Sequence, residues 1–75
     1  MPNILLFTSH TCPICPSVRE KLKDVPHEEY FLDELEGYAE AAFRDVLTVP
    51  TTIILGAEEA RFTGDLPDGW RDYID

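Results

Sequence analysis

A chain of 75 residues, 44% of them hydrophobic, provides for one domain over 1–75 and no second, near the lower limit for a self-supporting core. Its formal net charge of −9, with only six Lys and Arg, excludes a phosphate-binding face and an anionic membrane surface, because both need clustered cations. The acidity reads as solubility, as a salt-rich cytoplasm, or as steering toward a partner with a basic rim.

The opening Met1-Pro2-Asn3-Ile4 has neither the positive segment nor the long apolar stretch of a signal peptide or membrane span, so a cytoplasmic, reducing location is expected. Residues 3–7 then read as a short apolar strand, the pattern of a central strand covered on both faces. The loop Thr8-Ser9-His10-Thr11 delivers Cys12-Pro13-Ile14-Cys15 at a strand-to-helix junction. Two cysteines separated by two residues can close a disulfide across one turn, and the junction sets the first sulfur at a helix N-terminus, where a thiolate is stabilised. As a staple the bond does little, since closing a loop of about four residues contributes only ~2 kcal/mol before strain is deducted. The spacing therefore predicts a redox dithiol. The following helix covers 13–23, with Cys15, Val18 and Leu22 on one face and Pro16 in the first turn, where a missing N–H costs little.

After the break at Pro26, residues 28–32 read as a second strand and Asp33 as the cap of a second helix. That helix carries the clearest periodicity in the chain: Leu35, Tyr38, Ala39, Ala42, Phe43 and Val46 fall at i, i+3, i+4, i+7, i+8 and i+11, an apolar stripe. The β-branched run 51–55, a turn over 56–59 and a short strand over 60–63 predict a hairpin. Gly64-Asp65-Leu66-Pro67 then leads into a terminal helix over 68–74, with Trp70, Tyr73 and Ile74 on its inward side. The order βαβαββα predicts an α/β fold, a four-stranded mixed sheet with helices on both faces.

Together these residues resemble the glutaredoxin-like members of the thioredoxin superfamily. The apolar strand, Cys12-Pro13-Ile14-Cys15, Thr48-Val49-Pro50-Thr51 at the start of a β-branched strand, and Gly64-Asp65 stand in family order along nearly the whole chain. The resemblance implies a thioredoxin-like, glutaredoxin-type fold and a thiol–disulfide oxidoreductase, an electron-carrying redoxin with no cofactor beyond a redox-active Cys12–Cys15 disulfide. Cys12 is then the nucleophile and Cys15 the resolving thiol. Val49-Pro50 occupies the place of the family's cis proline, whose geometry offers the backbone of Val49 to an extended substrate as an added strand. Substrate contacts are expected from Ser9, His10, Thr11, Pro13 and Ile14 around the dithiol, from Thr48, Val49 and Pro50 opposite it, and from Gly64 and Asp65. A protonated His10 close to Cys12 would stabilise the thiolate; a solvated loop histidine is the other reading.

Departures from the family bear on the electron source. Glutathione-using members commonly place Lys or Arg three positions before the nucleophile, and Ser9 stands there. Ile14 replaces the usual aromatic residue before the second cysteine, Thr11 replaces the tryptophan that precedes the dithiol of ordinary thioredoxins, and Leu6 stands where those keep a buried acid. Gly64-Asp65 is similar to the segment that meets glutathione's other end, whereas Cys15-Pro16 is similar to compact prokaryotic redoxins, including those reduced by a flavoprotein reductase. The expected activity is reduction of protein disulfides by a monomer recycled by an NADPH-linked, thioredoxin-reductase-type enzyme, with no nucleic-acid or membrane partner. A glutathione-dependent glutaredoxin is the alternative. From another class stands a metal or iron–sulfur module that uses the thiols as ligands. Zinc held by His10, Cys12, Cys15 and His27 is disfavoured, because the second strand would begin at the sheet edge opposite the dithiol.

Overall fold

The computed structural model of the chain describes residues 4–56 and 59–73. Its first strand, β1 (Ile4–Thr8), is buried along its whole length. A strand in that position must satisfy its backbone from both sides. On one side it pairs in parallel with β2 (Glu28–Phe31), and on the other it pairs antiparallel with β3 (Thr51–Ile54), which in turn pairs antiparallel with β4 (Ala60–Thr63). The sheet order is β2-β1-β3-β4. In this register Thr8 lies beside Phe31, Phe7 beside Thr51, and Thr51 beside Thr63. The loops that leave β1, β2 and β4 and the loop that enters β3 therefore converge at one end of the sheet.

Side chains of β1 alternate between two cores. Ile4 and Leu6 pack with Val18 and Leu22 of α1 (Cys15–Leu22), with Ile54, and with Leu66 and Trp70 of the C-terminal segment. Leu5 and Phe7 pack on the other face with Ile53, with Ala41 of α2 (Leu35–Phe43) and with Val46. The order βαβαββα and the helices on both faces agree with the sequence; the last element is a 3-10 helix (Asp68–Tyr73) rather than an α-helix. Trp70 is buried there as expected, while Tyr73 is exposed and meets Phe62 edge-on, with ring centroids 5.3 Å apart. Ile74, Asn3 and the turn residues Ala57 and Glu58 lie outside the described residues. Several boundaries shift by one or two residues: β1 runs on to Thr8, α1 covers Cys15–Leu22 rather than 13–23, and β2 and β3 end at Phe31 and Ile54. No helix among the described residues is long and apolar enough to cross a membrane.

The largest departure concerns α2. Leu35, Tyr38, Ala39, Ala42 and Phe43 of the apolar stripe all point outward, and the residues buried against the sheet are Gly37 and Ala41. The reason is the short connection from β2, which brings the helix down onto Phe31: a Cβ on Gly37 would collide with the Phe31 backbone. Only small residues fit so close a contact, and the sheet surface beneath is already filled by Phe7 stacked on Tyr30 at 5.4 Å. Val46, the last member of the stripe, is buried by another route. Asp45 adopts a left-handed conformation, φ 58°, and closes the helix in a Schellman motif, with Asp45 N–H donating to Ala42 O and Val46 N–H to Ala41 O at 2.8 Å.

Gly37→Ala should cost about 1–3 kcal/mol or more, since backbone must move to admit the methyl group. Asp45→Gly should stabilise by about 0.5–1 kcal/mol by relieving the left-handed residue. Chemical denaturation checks both, the midpoint falling in the first variant and rising in the second with little change in slope.

Candidate functional site

Thr8 ends β1, and the chain then crosses Ser9, His10 and Thr11 to reach the dithiol. The Cys12 N–H donates to Ser9 O at 3.4 Å, closing a turn. Cys12 and Cys15 are joined as a disulfide with Cα atoms 5.5 Å apart. Cys12 is half-buried, whereas Cys15 is fully covered among the core side chains of α1. Because α1 starts at Cys15, the Cys15 amide is one of the free N–H groups of a helix N-terminus. It points at the sulfur of Cys12, 3.2 Å away. No side chain caps this helix. The sulfur of Cys12 takes a capping acceptor's place, and negative charge on it is stabilised by the amide and by the helix dipole.

His10 is turned away from the sulfur. Its Nδ1 lies 2.9 Å from Asp33 Oδ2 and its Nε2 3.4 Å from Glu34 Oε2, and its backbone N–H donates to Asp33 at 3.0 Å. The imidazole stacks on Phe31 with centroids 4.2 Å apart and planes 7° from parallel. His10 thus ties the dithiol loop to the β2–α2 junction and remains an exposed loop histidine, with both ring nitrogens beside carboxylates rather than free in solvent. Asp33 is consequently not the helix cap: Glu34 holds that position without a side-chain cap bond. Partial desolvation works to raise the Asp33 carboxyl, but hydrogen bonds from the His10 amide and ring outweigh it and hold the group below the usual carboxylate range.

A second tie, unforeseen from the sequence, lies beneath the loop. Thr8 Oγ1 donates to Glu29 at 2.8 Å, Arg19 Nε pairs with the same Glu29 oxygen at 2.6 Å, and Arg19 Nη2 donates to Thr8 Oγ1 at 3.3 Å. The guanidinium also sits 5.6 Å from the centroid of the Phe31 ring. Glu29 pairs in register with Leu6, so an acid does approach this region, from the neighbouring strand. A signal existed in the sequence: an acidic residue inside a strand flanking a buried one requires a cation from the element above it.

On the opposite flank, the Val49–Pro50 peptide is cis, Pro50 is buried, and Val49 is half-buried beside an exposed Thr48. Thr51 Oγ1 donates to Thr48 O, and the Gly64 N–H donates to Pro50 O at 2.8 Å, with Gly64 at φ 82°. Asp65, expected to meet a ligand, is instead engaged within the chain. Its carboxylate accepts from Ser17 Oγ at 3.2 Å, Lys21 Nζ at 3.2 Å and the Leu66 N–H at 2.9 Å. Lys21 foremost, against some desolvation, holds the Asp65 carboxyl below its usual range. Thr11, Pro13 and Ile14 are exposed around the disulfide, and Ile14 offers an apolar rim. The residues expected in the site thus gather at the same end of the sheet, in its loops and, for Cys15, at the first residue of α1. His27 is placed elsewhere, its Nδ1 against Val25 O at 2.8 Å. Among the described residues, no group of three or more His, Cys, Asp or Glu is arranged to hold a metal ion.

No protein-family model matches the chain, and no curated protein matches it either. Among solved structures it is similar to thioredoxin O2 from Arabidopsis thaliana in the oxidized state, with a TM-score of 0.63 and 23% sequence identity over 85% of this chain and 64% of that chain. The chain therefore spans less than two thirds of that neighbour's length. Its fold is thioredoxin-like.

Lys21→Met should return the Asp65 carboxyl toward its ordinary range, measurable by carboxyl NMR titration. Because the folded state depresses this group, its contribution to stability is present above the unfolded value near ~4 and is lost as pH falls through the depressed one. The stability difference between wild type and Lys21→Met should accordingly shrink in acid.

Proposed function

We propose that this thioredoxin-like chain is a thiol–disulfide oxidoreductase that reduces protein disulfides through Cys12 and Cys15. One observation carries the reading: the Cys15 amide is aimed at the sulfur of a half-exposed Cys12 while Cys15 itself is buried directly behind it. A nucleophile needs access and charge stabilisation, and a resolving thiol needs proximity and shielding; the two cysteines divide these requirements between them.

In the reduced protein the Cys12 thiolate attacks one sulfur of a substrate disulfide. A mixed disulfide forms, and the other substrate sulfur leaves as a thiolate. The Cys15 thiol, after losing its proton, attacks the Cys12 sulfur, which closes the Cys12–Cys15 bond and releases the second substrate thiol. Two electrons have passed to the substrate, and two must return from a reductant to reopen the dithiol. The extended substrate segment would lie along Thr48 and Val49, with Ile14 and Pro13 bordering the sulfur.

For the reductant we propose an NADPH-linked flavoprotein in a reducing cytoplasm. Support comes from Ser9, which leaves the loop without the cation that a glutathione carboxylate would use, and from Asp65, whose carboxylate already holds Lys21 and Ser17.

Turnover of a protein disulfide should follow NADPH oxidation when thioredoxin reductase is supplied and fall to background with glutathione and glutathione reductase. Cys12→Ser should abolish reduction in either system. Cys15→Ser should accumulate the mixed disulfide, visible by mass spectrometry. Full turnover by Cys12→Ser would overturn the activity, and turnover with glutathione alone would reassign the reductant.

A further inference from the structure

The outward face of α2 is largely apolar, with Glu36 as an exposed charge in its first turn. Leu35 is 84% exposed, Tyr38 64%, Phe43 81%, and Leu47 just beyond the helix 89%, with Ala39 and Ala42 open between them. The charged pair of the helix, Glu40 with Arg44, is half-buried on the flank toward the sheet. Surface helices ordinarily have these sides the other way round, and contiguous apolar patches of this kind mark contact surfaces. Beside the helix opens a cleft of about 170 Å³, lined by Leu32, Tyr38, Ala41, Ala42, Val46 and Leu47, with room for an apolar side chain.

We infer that this face joins two copies of the chain, α2 against α2 across a two-fold axis. Leu35, Ala39 and Phe43 are spaced by four residues and form one ridge, and Tyr38 and Ala42 form the next. Rows of this spacing interdigitate in the commonest class of helix packing. The first ridge is large, small, large about Ala39. An antiparallel copy therefore sets Leu35 beside Phe43 of the partner subunit and Ala39 on its own counterpart, where small side chains let the axes approach to roughly 8–10 Å. The face is thus complementary to itself. Its area reaches the lower end of what a specific interface needs: at their present exposure the two rings offer roughly 100–200 Å² each, and covering Leu35, Leu47 and the alanines as well brings the total to roughly 600 Å² per subunit. A domain this small gains disproportionately from such burial. The proposed dimer differs from the monomer expected from the sequence.

Charge sets how this contact must respond to salt. Five of the six basic residues, Arg19, Lys21, Lys23, Arg44 and Arg61, are paired within the chain, with Glu29, Asp65, Glu20, Glu40 and Glu59, and the sixth, Arg71, lies over the Trp70 ring, 4.7 Å from its centroid. The contact is therefore apolar, made against repulsion between two chains of −9 each. Screening by salt removes the repulsion and leaves the apolar term intact, so association must strengthen as salt rises. A partner with a basic rim would behave in the opposite way.

Sedimentation equilibrium of the oxidised protein at about 0.1 M and about 1 M salt, where the screening length shortens from ≈ 10 Å to 3 Å, tests this directly. The expected result is a concentration-dependent dimer that tightens at high salt. The double substitution Leu35→Gln, Phe43→Gln should weaken it by roughly tenfold or more through lost apolar burial. Ala39→Gln, which props the helices apart, should do the same. All three positions are exposed and outside the dithiol site, so disulfide reduction by these variants should match wild type, keeping the dimer and the redox reading separately testable. A monomer at all concentrations and both salts, a dimer that survives these substitutions, or one that dissociates as salt rises would each overturn the inference.

Discussion

A central strand with no face open to water can exist only if both of its edges are paired, and β1 imposes that condition on everything around it. Its neighbours β2 and β3 are fixed by it, and the register with each brings four loops to the end where β1 stops. The dithiol is the first thing the chain reaches on leaving this strand. Its position is thus set by the most deeply held segment of the fold, although the cysteines themselves lie in an irregular turn and the first residue of a short helix.

Three polar ties fix that turn from different directions. Asp33 and Glu34 hold His10 to the second βα junction, Glu29 holds Arg19 and Thr8 under the loop, and Asp65 fastens Ser17 and Lys21 to the segment after β4. The Arg19–Glu29 pair is the least exposed of them and the costliest to half-remove, because an uncompensated charge would remain beneath the loop. The opening and closing of the Cys12–Cys15 bond is thereby set in a frame whose flanks are anchored independently of it.

Much of this was readable from residue types. The order of elements and a covered first strand followed from the apolar run at Ile4 and the β-branched run after Pro50, and the place of the dithiol between strand and helix followed from the position of Cys12 and Cys15. Contacts between elements were not readable, because they depend on register: nothing in the local sequence says that Glu29 stands beside Leu6 or that Asp33 reaches back to His10. The α2 stripe misleads for a related reason. Periodicity reports that one side of a helix is apolar, but which side meets the sheet was decided by the space available at Gly37 against Phe31, a steric fact that no hydropathy pattern contains.

The unequal exposure of the two sulfurs has a kinetic consequence. With Cys15 shut inside the core, an incoming macromolecule can reach the disulfide only through Cys12. In the proposed reaction the species that oxidises the pair and the species that regenerates it would therefore approach the same atom over the same patch of surface, at different times. Two partners could not react at that sulfur together, so in the proposed reaction each would depart before the next reacts. The throughput of the proposed reaction would then depend on how readily each complex lets go, which favours a shallow, weakly gripping surface on both visits.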